Sequence, residues 1–171
     1  YSIDGGGTYL DVIQTSMSRA QGANVYPWTT PCINSTTVRV RVTVSDGTLF
    51  AQDPSAANFE IDCRRPTVTI VVPADSLTEV PLPTSIAITF SEPMVRPETW
   101  SAVEIGPAVS GTNPQWSAGD TVLTILHNDF ALCTQYTIVV NTTARDTSNP
   151  GNTLSPLFRW SFSTVCPPIS V

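Results

Sequence analysis

Short runs in which apolar and polar residues alternate one by one recur along this chain, and that period of two constrains its fold more than any other feature. In TTVRVRVTVSDG, Val38, Val40, Val42 and Val44 share one face, and Arg39, Arg41 and Thr43 share the other. In SIAITFSEP, Ile86, Ile88 and Phe90 alternate with Ala87 and Thr89. In QYTIVVN, Tyr136, Ile138 and Val140 face one way, and in LFRWSFST so do Phe158, Trp160 and Phe162. Side chains of a strand point alternately to its two faces, so such runs read as half-buried antiparallel strands. No window shows convincing helical spacing. PETWSAVEI is the one short candidate, and its β-branched and aromatic residues suit a strand equally. Turn signals separate the runs: DGGG at 4–7, DG at 46–47, DP at 53–54, GTNP at 111–114, AGD at 118–120 and SNPGN at 148–152. Many short strands with spaced turns predict an all-β fold of antiparallel β-sandwich type.

With 171 residues, the chain has room for one large domain or two of roughly 85–100 residues. CRRP at 63–66 marks the boundary, since NFEID before it reads as a last strand and PTVTIVVPAD after it as a first. The expected organisation is a domain at 1–64, a second at 65–166, and an extension at 167–171. Charged residues make up only 13%, the net charge is −6, and all eight cations are arginine. Arg64-Arg65 is the one adjacent basic pair. Phosphate affinity needs clustered cations, so nucleic acid is not an expected partner. No apolar run approaches the ~18 residues of a membrane span, and the chain begins at Tyr1 without a signal-peptide pattern.

Cys32, Cys63, Cys133 and Cys166 contain no C-x-x-C pair, which argues against zinc. Three disulfide connectivities are open to them, and four reduced buried thiols are the alternative. Spacing favours Cys32–Cys63 and Cys133–Cys166, each within one half of the chain. Each bridge would close a loop of about 32–34 residues, worth roughly 3–4 kcal/mol in the chain-entropy model. Oxidised cysteines imply an extracellular setting, at a cell surface or secreted.

VVPADSLTEVPLPTSIAITFSEPM, followed by YTIVV, the Ala144–Asp146 segment, GN and FRWSFST, resembles the bacterial Ig-like domain of surface-layer proteins and secreted hydrolases. The resemblance covers about 66–164 and implies an Ig-like sandwich. SNPGN is longer than the usual turn of that family, and Cys133 and Cys166 are additions to its pattern. The first half, through YSIDGG, YPWTTP, VRVRVTVSDG and NFEI, more weakly resembles an Ig-like or fibronectin-like module. In such modules the YS-x-DGG piece is a middle hairpin, so this resemblance implies a first domain without its opening strands. Ser2, Asp4, Gly6, Thr8 and Tyr9 also resemble the Asp-box hairpin of sialidase-type propellers. A single copy is too few for a propeller, and Asp4 before three glycines suits a tight turn.

Catalytic and metal chemistry find little support. His127 is the only histidine, and no G-x-S-x-G occurs beside it. Asp46, Asp53, Asp120, Asp129 and Asp146 fall in expected loops, but none forms a D-x-D-x-D-G calcium loop, and they read as solvated turn residues. No cofactor, metal or enzymatic activity is expected. Trp160 shares parity with core residues, whereas Trp28, Trp100 and Trp116 are open between packing and sugar stacking. Asn34-Ser35-Thr36 and Asn141-Thr142-Thr143 are glycosylation sequons.

The expected role is an extracellular structural or adhesive module, a building block of a cell-surface stalk or filament. Its expected partners are neighbouring copies of itself or adjacent Ig-like repeats, with surface glycans as a further candidate. The alternative is a non-catalytic spacer or carbohydrate-binding accessory of a secreted hydrolase. Pro167–Val171 repeats the pattern after Cys63, in which two residues follow a cysteine and a β-prone stretch begins. Ile169 and Val171 are therefore expected to join an incomplete first domain of a neighbouring copy by strand addition.

Overall fold

A computed structural model describes residues 1–17 and 25–167. The chain divides into two compact units, Tyr1–Arg64 and Arg65–Val171. Ile169 and Val171, the expected added strand, lie outside the described residues.

The first unit holds four short strands: β1 (Ser35–Val38), β2 (Arg41–Ser45), β3 (Phe50–Pro54) and β4 (Phe59–Ile61). β1 pairs antiparallel with β4, and β2 with β3. The run VRVRVTV is thus divided. Its start serves β1, Arg39 forms an isolated bridge with Ser2, and its end forms β2. Val38 is fully buried, but Val42 and Val44 are 63% and 50% exposed, so the shared valine face does not reach a core. Alternation fixes which residues share a face of a strand, not whether anything covers that face. Asp53-Pro54, expected as a turn, ends β3 in register with Val42 and Arg41. The actual turn is 46–49, where Asp46 Oδ1 accepts from the backbone N–H groups of Thr48 (2.9 Å) and Leu49 (2.8 Å).

The second unit is a two-sheet sandwich. Its elements are β5 (Val68–Val72), β6 (Ile86–Phe90), α1 (Arg96–Ser101), β7 (Val103–Gly106), β8 (Asn113–Ser117), β9 (Val122–Leu126), β10 (Gln135–Val140) and β11 (Phe158–Ser163). One sheet has the order β5-β6-β9-β8 and the other β11-β10-β7, with every pair antiparallel. Residues 77–80 run along β11, where Ser163 N donates to Leu77 O (2.8 Å) and Val80 N to Ser163 O (3.0 Å). That contact covers a sheet edge that would otherwise present open backbone groups. PETWSAVEI resolves into both of its readings. Pro97 opens a six-residue helix in which a missing N–H costs nothing, and VEIG continues as β7. AGD turns the β8–β9 hairpin with Ala118, Gly119 and Asp120 all at positive φ. Arg96 steadies that turn through Nη2 and Nε, 2.7 and 2.9 Å from Asp120 Oδ1.

The core lies between the two sheets. Ile86, Ile88, Phe90, Leu123 and Ile125 contribute from one, and Tyr136, Ile138, Val140, Trp160 and Phe162 from the other; all are buried in one cluster. Every alternation read from β6, β10 and β11 places its large apolar side chains inward, except that Phe158 is half-buried at the strand's start. Trp160 also donates Nε1–H to Pro73 O (3.1 Å), which satisfies its polar atom inside the core. Phe162 packs on Phe130 and Tyr136 with ring centroids 5.1 and 5.7 Å apart. Deleting such a ring removes its transfer energy and leaves a cavity. Phe162→Ala is expected to lower stability by about 3–5 kcal/mol in urea unfolding; a loss below about 1 kcal/mol contradicts this packing.

Candidate functional site

The expected disulfides are both present. Cys32 and Cys63 are joined with Cα atoms 5.4 Å apart, and Cys133 and Cys166 with Cα atoms 4.6 Å apart. The first ties the residues just before β1 to those just after β4. The second ties the start of β10 to the end of β11, where Thr164 donates to Ala131 O (2.7 Å). Each bridge therefore clamps the ends of two paired strands.

The segment at 1–9 is a self-contained turn. Ser2 Oγ donates to Asp4 Oδ1 (2.6 Å), Thr8 N donates to Asp4 Oδ1 (2.9 Å), and Thr8 Oγ1 donates to Asp4 Oδ2 (2.7 Å). Gly6 sits at φ +97°, and a Cβ there would fall 3.1 Å from the Tyr9 hydroxyl and 3.2 Å from Arg39 Cδ. Glycine is thus required both for conformation and for space. Each of these bonds stays within residues 2–8, so the carboxylate braces its own turn. These donors, Ser2 first and then the Thr8 amide and hydroxyl, hold the Asp4 carboxyl well below the usual carboxylate range.

The remaining expected residues are dispersed. Asn34 is exposed, and its Oδ1 accepts from Cys63 N (3.0 Å). Asn141 lies just past β10, half-buried, and its Nδ2, the atom a glycan would join, donates to Glu104 Oε1 (2.7 Å). His127 follows β9. Its ring nitrogens lie 2.6 Å from Asn128 O and 3.0 Å from Thr84 O, and its ring lies 4.1 Å from that of Phe130. It joins two loops to the core. Asp146 corrects the expectation of a solvated turn residue, being only 1% exposed. Oδ1 accepts from the N–H groups of Ser148 and Asn152 (both 2.9 Å) and from Ser148 Oγ (2.5 Å), and Oδ2 accepts from Asn152 Nδ2 (3.0 Å). The acid builds the long SNPGN loop around itself. Trp116 stacks against Phe90, and Trp100 packs against the same core.

Trp28 belongs to a different setting. Its ring lies 5.3 Å from Tyr1 and edge-on to Phe59 at 6.5 Å. With Tyr1, Val12, Ile13, Tyr26 and Thr29 it lines an open cleft of about 380 Å³ in the first unit. No periodic run of the sequence contains Trp28, so its sequence context does not decide between packing and sugar stacking.

Acid should expose the Asp4 network. A carboxyl depressed in the folded state adds stability above its unfolded value, and that stability is lost as pH falls through the folded one. Carbon NMR titration of Asp4 is expected to show ionisation persisting below pH 3.8, its ordinary value. A midpoint at the ordinary value contradicts the network.

No curated protein matches the chain. Among solved structures, an L,D-transpeptidase from Mycobacterium smegmatis aligns with a TM-score of 0.45 at 15% identity, over 60% of this chain and 41% of that one. CopC from Methylosinus trichosporium OB3b aligns at 0.43 and 13% identity, over 63% of this chain and 100% of that one. PcoC, a methionine-rich copper resistance protein from Escherichia coli, aligns at 0.42 and 12% identity, over 59% and 99%. The chain thus spans about two fifths of the transpeptidase's length. Residues 62–164, more than half of the sequence, match the bacterial Ig-like domain, and the chain belongs to that family.

Proposed function

We propose that this chain is a non-catalytic structural module of an extracellular protein, a building block of a cell-surface stalk or filament. The observation that carries this reading is how the second unit uses its buried polar side chains. Thr99, Asp146 and Thr164 are the buried polar side chains described there, and each bonds to its own unit. Such groups hold loops to the sandwich, which is the use a structural module makes of buried polar side chains. Two disulfides and a bacterial Ig-like domain support an extracytoplasmic setting. Head-to-tail joining of copies, with Ile169 and Val171 in the added strand, extends the reading. It is supported by the β2–β3 ribbon, which among the described residues pairs with no third strand.

A structural module acts through its length and stability, not through a particular surface. Replacing residues 65–166 in the parent protein by an unrelated sandwich of similar length tests this. Surface display and assembly are expected to persist. Their loss, with the replaced protein expressed and folded, overturns the structural reading in favour of an accessory module with a recognition surface.

A further inference from the structure

We propose that the cleft around Trp28 in the first unit binds a neutral saccharide, with pyranose rings stacked on its aromatic side chains. Three observations converge there.

The first is pre-organisation. Trp28 is held by Phe59 at its edge and Tyr1 beside it, with centroids 6.5 and 5.3 Å away. Tyr26 donates its hydroxyl proton to Gln14 Oε1 (3.2 Å), and Gln14 Nε2 donates to Ser16 O (2.8 Å). Both rings are therefore oriented by contacts within the unit before any ligand arrives. A ligand then avoids much of the cost of ordering the side chains it meets.

The second is access. Tyr26 is 43% exposed although its hydroxyl is bonded, so the ring lies in solvent while its polar end is engaged. The exposed part of the ring is not used in the packing of its own unit. It can offer a flat apolar surface to a partner with a polar rim. A pyranose has that character: its axial C–H groups form an apolar face, and its hydroxyls project around the edge.

The third is charge and size. The lining residues carry no charged side chain. Tyr1, Tyr26 and Thr29 carry neutral hydroxyls, so the lining offers polar atoms as well as ring faces. The Tyr1 ammonium donates to Asp11 O, and no lining side chain offers a charged ligand an ionic partner for the hydration it would lose. At about 380 Å³, the cleft sits at the small end of the ~300–1,000 Å³ found for small-molecule sites. An open cleft of this size has room for one or two sugar rings at a time.

Affinity electrophoresis of the whole chain tests the proposal, with hydroxyethyl cellulose, galactomannan or soluble starch cast into native gels and alginate as the anionic control. Retardation by at least one neutral polymer, and none by alginate, is expected. Tyr26→Ala is expected to weaken binding at least tenfold, and Tyr26→Phe to retain it, because the ring and not the hydroxyl meets the sugar. Trp28→Ala should also abolish retardation. Because that change removes packing on Phe59, its far-ultraviolet circular dichroism must first match the parent chain, and the Tyr26 pair carries the decision if it does not. No retardation by any of the three neutral polymers, or equal retardation of Tyr26→Ala and the parent chain, overturns the proposal. Neither result would bear on the structural role of the second unit.

Discussion

The contact between the inner faces of β6–β9 and β10–β11 fixes most of what the second unit can be. Neither sheet can hide its apolar face from water alone, and each supplies what the other must bury. Ile86, Ile88, Leu123 and Ile125 meet a layer made of Tyr136, Ile138, Trp160 and Phe162. Once that layer forms, the loops have fixed ends, and their polar residues can be spent on holding them. Asp146 accepts bonds from Ser148 and Asn152, His127 reaches the backbone of Thr84, and residues 77–80 close the β11 edge. Polar groups buried in this way would be costly unless paired, so the core that buries them and the bonds that satisfy them are one device.

The first unit is organised differently. Val38 and Ile61 are its described buried apolar residues, while Phe50 is 73% exposed. Two-stranded ribbons are marginal by themselves. Local devices take a larger share of the work here: the Asp4 turn, the Asp46 turn, the Tyr1–Trp28–Phe59 aromatic row and the Cys32–Cys63 bridge. A bridge of this loop length contributes roughly 3–4 kcal/mol by restricting the unfolded chain. That is comparable with burying two large side chains.

These two modes of organisation explain what was legible in the sequence. Strand parity in β6, β10 and β11 was readable because one face of each is wholly buried, so a slip by one residue would expose every apolar group. The same alternation in VRVRVTV misled, since Val42 and Val44 alternate correctly without a second sheet over them. Period reports a strand's geometry, and burial depends on partners distant in sequence. Asp53-Pro54 looked like a turn because composition there is turn-like, yet proline is tolerated at the end of an edge strand, and Pro54 pairs there with Arg41. Burial of Asp146 was not visible because its donors, Ser148 and Asn152, are polar residues indistinguishable from those of a solvated loop. The Trp28 cleft was hidden for a related reason: its rings come from 1–28 and from β4, with no period linking them.

Taken together, the fold separates a rigid, fully cored sandwich from a smaller unit held by local bonds and one disulfide. The proposed roles divide along the same line, with length and strength in the second unit and recognition in the first. Native-state hydrogen exchange of the whole chain tests that division most directly, since the best-protected amides of a cored sandwich exchange through global opening. Amides of β6, β9, β10 and β11 are expected to share the slowest rates, with those of β2 and β3 exchanging at least a hundredfold faster. Equal protection in β2–β3 and β10–β11 would contradict the account.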